Sequence, residues 1–168
     1  MADGDVDAGS LEAREPSTED LAFLCQKLNE AGARYMILGG FAMRAAGYDR
    51  RTMDIDLLVD VSRDNEARVI AALSLLPDGA ARELEPGDIA EYVVIRVADE
   101  VVVDLMQSAS GFDYATAAAD VVYHRVGSVE IPFASPALLL RMKEGSVREK
   151  DRADAAFLRR LVYGRKPV

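Results

Sequence analysis

The stretch Tyr35-Met36-Ile37-Leu38-Gly39-Gly40-Phe41-Ala42, with Asp54-Ile55-Asp56-Leu57-Leu58-Val59 beginning after a gap of thirteen residues from Gly40, decides how this chain is read. Its first half is a short apolar run ending in two glycines, the pattern of a buried strand that turns at once into a helix. Without side chains, the backbone N–H groups of Gly39 and Gly40 can approach a phosphate where that helix begins. A lone Gly-Gly pair otherwise marks only a tight turn. The second half is an apolar strand with two acids at its start. Residues two apart on a strand face the same way, so Asp54 and Asp56 share a face and Ile55 takes the other. Neighbouring like charges repel and lose hydration when the strand is packed, and a cation between them accounts for both. The competing reading is solvated charge at a strand end.

A third acid lowers the weight of that competing reading. Asp104 stands alone in the apolar run Val101-Val102-Val103-Asp104-Leu105-Met106. Tyr92 to Val97 and Val101 to Met106 are β-branched runs separated by Ala98-Asp99-Glu100, a hairpin pattern. If the second arm pairs beside the Asp54 strand, three carboxylates converge. The single Cys25 and single His124 exclude multi-cysteine zinc sites and clustered-histidine centres, which leaves oxygen ligands for any metal. Three carboxylates suit Mg²⁺, a hard ion that also takes waters and substrate phosphates. Two such ions can clamp the attacking and leaving oxygens of a phosphoryl displacement.

Outward from this core the chain reads as one domain over residues 17–168, preceded by an acidic, disordered or loosely attached tail over 1–16 that ends at Pro16. Ser17 or Thr18 caps a helix with Leu21, Leu24, Cys25 and Leu28 inward, which makes Cys25 a core residue rather than a nucleophile. Phe41 to Ala46 forms a brief helix closed by Gly47, and a loop runs from Tyr48 to Met53. Ser62 caps a third helix with Val69, Ile70, Leu73 and Leu76 on its core stripe. Asp113 to Ala119 reads as a short helix, and Val121 to Val126 and Val129 to Phe133 as strands around Gly127-Ser128. His124 falls on a strand surface. Ser135-Pro136 opens a helix that ends at Lys143, and the last helix covers about Arg148 to Leu161. On that helix Asp151 and Asp154 are expected to pair with Arg148 or Lys150.

Composition agrees with a globular domain: half of the 168 residues are hydrophobic and 29% charged, enough to bury a core without disulfides. The net charge of −9 is uneven. Residues 1–20 carry seven acids and one base, whereas residues 141–168 carry nine bases and four acids. The chain as a whole is a poor non-specific nucleic-acid binder, but its basic end can receive phosphates. No run approaches 18 apolar residues and the N-terminus lacks a leader pattern, so no membrane segment and a cytoplasmic location are expected.

Leu38-Gly39-Gly40, Asp54-Ile55-Asp56 and Asp104, in that order, resemble the signature of the polymerase-beta-like nucleotidyltransferase superfamily. Gly39-Gly40-Phe41-Ala42, Arg50-x-Thr52-x-Asp54-Ile55-Asp56-Leu57 and Val103-Asp104 are similar to its small bacterial members. Those include minimal enzymes, toxins of toxin–antitoxin pairs and aminoglycoside adenylyltransferases. The basic helical end, with Leu139-x-x-Met142-Lys143 and Arg148-x-Lys150-Asp151-x-x-Asp154, is a weaker match. The resemblance implies an α+β fold, a short mixed sheet with helices on one face and C-terminal helices closing a cleft. It implies Mg²⁺-dependent transfer of a nucleoside monophosphate from an NTP such as ATP to a hydroxyl, releasing pyrophosphate. Asp54 and Asp56 would bind the metals that hold the triphosphate. Asp104 would bind the catalytic metal and help deprotonate the acceptor. Two Mg²⁺ ions are implied, with Mn²⁺ as a substitute. Gly39 and Gly40 would cradle phosphates. Arg50 and Thr52 would contact phosphate or orient their loop, and Lys143, Arg148 and Lys150 would contact phosphate or acceptor or lie on solvated helix faces. A tRNA end, a protein side chain and an aminoglycoside-like small molecule all remain open as acceptor, and a second copy or an antitoxin as partner. The alternative is a nucleotide-binding or interaction module with little turnover, against which stands the gathering of three uncompensated acids.

Overall fold

The computed structural model describes residues 12–164. Its elements run α1 (Thr18–Glu30), β1 (Tyr35–Leu38), α2 (Gly39–Ala45), β2 (Asp54–Val59), α3 (Arg63–Leu73), α4 (Asp88–Glu91), β3 (Val94–Ala98) and β4 (Val102–Met106). A small ribbon, β5 (Ser108–Ala109) and β6 (Phe112–Asp113), leads to α5 (Tyr114–Ala117), β7 (Val121–Val126), β8 (Val129–Ala134), α6 (Pro136–Lys143) and α7 (Glu149–Tyr163). Helix α1 starts where the Ser17 hydroxyl accepts from the Asp20 N–H and the Asp20 carboxylate accepts from the Ser17 N–H, a reciprocal cap. Ser62 and Ser135 cap α3 and α6 through the serine hydroxyl alone, which accepts from the Asn65 and Leu138 N–H groups, with Pro136 at the first position of α6.

Six strands form one mixed sheet in the order β3-β4-β2-β1-β8-β7. β2 runs antiparallel to β1 and parallel to β4, while β8 joins β1 in parallel through Ile37 and Phe133. Strand alternation divides β2: Ile55, Leu57 and Val59 are buried on one face, and Asp54 and Asp56 lie half-buried on the other. The first face carries α1. Tyr35, paired in register with Val59, donates its hydroxyl to Asn29 Oδ1 of α1 at 2.9 Å. Near the acid-bearing face α6 and α7 pack on each other, and Leu139, Met142 and Lys143 of α6 line a cavity shared with Leu38 and Asp56.

Two regions carry detail that the sequence reading did not supply. Residues 1–11 of the anticipated tail lie outside the described residues, but residues 12–16 are attached: Arg14 pairs with Asp20 and Glu100, and Glu15 accepts from Arg51. The segment between α3 and β3 is not a bare connection either. It holds a short 3₁₀ turn over residues 80–83 and α4, both organised by buried carboxylates. Asp99 accepts from the N–H groups of Asp78, Ala80 and Glu100, and Glu66 from those of Gly87, Ile89 and Ala90. Such long-range polar capping leaves no periodic trace in sequence.

Candidate active site

The parallel pairing of β2 with β4 sets Asp56 directly beside Asp104, and Asp54 follows on the same face. One oxygen from each of Asp54, Asp56 and Asp104 lies within 4.8 Å of the other two. The antiparallel pairing of β1 with β2 places Leu38 opposite Asp56, so the glycine turn begins against this carboxylate. Gly39 has φ +65°, and a Cβ there would stand 1.9 Å from Asp56 Oδ2. The glycine is thus needed for two reasons at once, a left-handed backbone and room for the acid. A Cβ on Gly40 would meet Thr52 Cβ at 2.5 Å. Thr52, buried there, donates its hydroxyl to the Asp54 carbonyl at 2.9 Å, which fixes the entry to β2.

Crowding shows in the acidities. Burial, with the charges of Asp54 and Asp104 added, pushes the Asp56 carboxyl up to about 7. Burial and then Asp104 raise Asp54 as well, opposed by Arg96 and Lys150. The donor set is all oxygen and includes an acid that gains from a nearby cation, so Asp54, Asp56 and Asp104 fit Mg²⁺ or Mn²⁺. The cluster is not uncompensated, however. Arg96 of β3 donates from Nε and Nη2 to the two oxygens of Asp104, each at 2.9 Å, and from Nη2 to Asp54 at 3.1 Å.

A basic wall faces the acids. Gly39, Gly40, Arg50, Thr52, Asp54 and Asp56 line a cleft of about 280 Å³ whose other side is Lys143, Arg148 and Lys150. A second cavity of about 230 Å³ shares Gly39, Asp56, Lys143 and Arg148 and continues over Leu38, Met106 and Met142. Every nucleotide-contact candidate except Asp104 therefore borders the first cleft, and Asp104 adjoins it through the other two acids. Three of the bases are engaged. Lys143 pairs with Asp151 at 3.2 Å and with Asp154 at 2.9 Å, and Arg50 also pairs with Asp154. Arg148 pairs with Asp151 at 3.1 Å. Asp154 is 1% exposed and its Oδ1 is without a partner among the described residues. Tyr48 stacks on Phe157 with ring centroids 4.7 Å apart, so the loop before β2 is moored to α7 by both an ion pair and a ring contact.

The expected pairing of Asp154 with Arg148 or Lys150 is corrected by this arrangement. Asp154 faces inward and takes Lys143 and Arg50 from other elements, whereas Asp151 takes Arg148 as expected. Arg96 is the residue at the acidic cluster that the sequence reading missed. A loop at Ala98-Asp99-Glu100 would set Arg96 opposite Val102, but Asp99 turns inward to its backbone donors. The hairpin instead pairs Arg96 with Asp104. The alternation of an exposed Arg in the arm facing Asp104 was the available signal. His124 is exposed on β7, 5.6 Å from the Phe133 ring, and burial pushes the Cys25 thiol up to about 12, so neither joins the site.

No protein-family profile and no curated protein sequence match the chain. Solved structures do. The lincomycin-bound crystal structure of the lincosamide antibiotic adenylyltransferase LnuA aligns with a TM-score of 0.59 over 88% of this chain and 99% of that one, at 16% identity. The likeness is one of fold alone: this chain shares the α+β fold of that adenylyltransferase. No helix among the described residues is long and apolar enough to cross a membrane.

Proposed function

We propose that the protein transfers a nucleoside monophosphate from an NTP to a hydroxyl acceptor in a Mg²⁺-dependent reaction that releases pyrophosphate. The observation that carries this reading is the convergence of Asp54, Asp56 and Asp104 beside a cleft walled by Lys143, Arg148 and Lys150. Bound to the three acids, the divalent cation supplies charge neutralisation of the triphosphate and polarisation of the acceptor oxygen. Asp54 and Asp56 hold the triphosphate end through that charge. Asp104 orients the acceptor hydroxyl and accepts its proton. Gly39 and Gly40 admit phosphate oxygens to the backbone, and Thr52 keeps Asp54 in place. Arg50 acts through its loop rather than on the nucleotide, since its guanidinium is committed to Asp154. Lys150, with no ion pair among the described residues, and Arg148 at the rim are the bases best placed for phosphate.

A small-molecule hydroxyl acceptor fits best. The solved adenylyltransferase of the same fold holds lincomycin, the chain is acidic, and the cleft is small. Incubation with each α-labelled NTP and Mg²⁺, against lincosamide, aminoglycoside, tRNA and protein acceptors, tests the reading. Label should pass to one acceptor class with stoichiometric pyrophosphate, and Asp56→Asn and Asp104→Asn should abolish it. The reading falls if no NTP labels any acceptor. The Arg96 contacts favour one second reading, a nucleotide-binding module with little turnover, and nucleotide binding without pyrophosphate release would establish it instead.

A further inference from the structure

We propose that Arg96 is an internal substitute for the divalent cation, holding Asp104 and Asp54 together in the metal-free protein and leaving them when the cation enters. This inference rests on the proposed transfer function. The Arg96 guanidinium engages both oxygens of Asp104 and one of Asp54, oxygens of the same carboxylates that a shared cation would use. Two positive groups crowded on one set of carboxylate oxygens repel each other, so entry of the ion weakens the Arg96 contacts and favours its departure. The two ends of the pair differ in freedom. The Asp104 side chain is 9% exposed within the sheet, whereas Arg96 is 61% exposed on β3, the edge strand. The acid stays and the arginine moves.

The position of Arg96 gives the exchange a direction. The basic cleft is bordered by Asp54 and Asp56 but by neither Arg96 nor Asp104. The triphosphate can therefore approach past Lys143, Arg148 and Lys150 while Arg96 still covers Asp104. Asp104 is the acid assigned to the acceptor hydroxyl, and it stays neutralised until cation displaces the guanidinium. Arg96 is in this sense a positioning residue, acting through Asp104. Its cost is a weakened affinity for cation in the absence of nucleotide, and its gain is a triad that folds without metal.

Mn²⁺ binding to the full-length, nucleotide-free protein, followed by electron paramagnetic resonance, tests this directly. Arg96→Gln should bind Mn²⁺ about tenfold more tightly than the wild type, with Arg96→Lys between them because an ammonium cannot bridge both oxygens. Circular dichroism confirms that each variant is folded. In the wild type, the Arg96 Nε–H resonance should shift as Mg²⁺ is added and stay put in Asp104→Asn. Equal or weaker Mn²⁺ binding by folded Arg96→Gln and Arg96→Lys, beside measurable binding by the wild type, overturns the role of Arg96 and leaves the transfer reading standing. Absence of Mn²⁺ binding in wild type and variants alike overturns the transfer reading itself.

Discussion

Replacing Asp56 by Asn should stabilise the metal-free protein, and by an amount that depends on pH. The folded protein holds the Asp56 proton up to about 7, whereas the unfolded chain releases it near 3.8. Between those values the folded state binds the extra proton, so stability falls as pH rises through the window and is constant above it. The displacement corresponds to about 4 kcal/mol carried by the ionised side chain at pH 8, an upper value because neighbours relax and water enters. Asn has the same shape without the charge. In EDTA at pH 8, Asp56→Asn should therefore gain about 2–4 kcal/mol in urea unfolding, or roughly 5–15 °C in Tm for a chain of this size. Well below pH 3.8 the two proteins should coincide, since Asp56 is then neutral in both states of the wild type. Added Mg²⁺ should raise the Tm of the wild type and leave the variant unmoved. A variant that is less stable at pH 8, or a difference that ignores pH, would refute the electrostatic account and make Asp56 a structural acid.

Gly39→Ala places a Cβ against Asp56 on a left-handed backbone, so it should cost about 1–3 kcal/mol and remove the Mg²⁺-induced rise in Tm seen by calorimetry. Asp154→Ala leaves Arg50 without its ion-pair partner and Lys143 with Asp151 alone in a part-buried setting, and should destabilise by about 3–5 kcal/mol in urea titration, with KM for NTP rising as the loop before β2 loosens. Glu66→Ala removes the acceptor of three backbone N–H groups around α4 and should lower stability by about 3 kcal/mol, while kcat at a temperature where the variant is folded stays at the wild-type value.

The local sequence determined which residues could form the site. A four-residue apolar run ending in two glycines, an Asp-x-Asp at a strand start and one acid inside an apolar arm are local features. Strand alternation alone assigns Asp54 and Asp56 to one face. The helices at Thr18, Arg63 and Pro136 were legible for the same reason: their serine caps and apolar stripes act within a few residues. What only the tertiary structure decided are contacts between distant segments, because ion pairs between side chains far apart in sequence follow neither period nor spacing. The partnership of Asp154 with Arg50 spans more than a hundred residues, and the stacking of Tyr48 on Phe157 joins the same loop and helix. The inward turn of Asp99 depends on backbone donors at Asp78 and Ala80, and it moves the hairpin so that Arg96 meets Asp104. Sequence thus determined the acids, and the register of one hairpin, set by a carboxylate buried elsewhere, decided which cation of the chain's own stands over them.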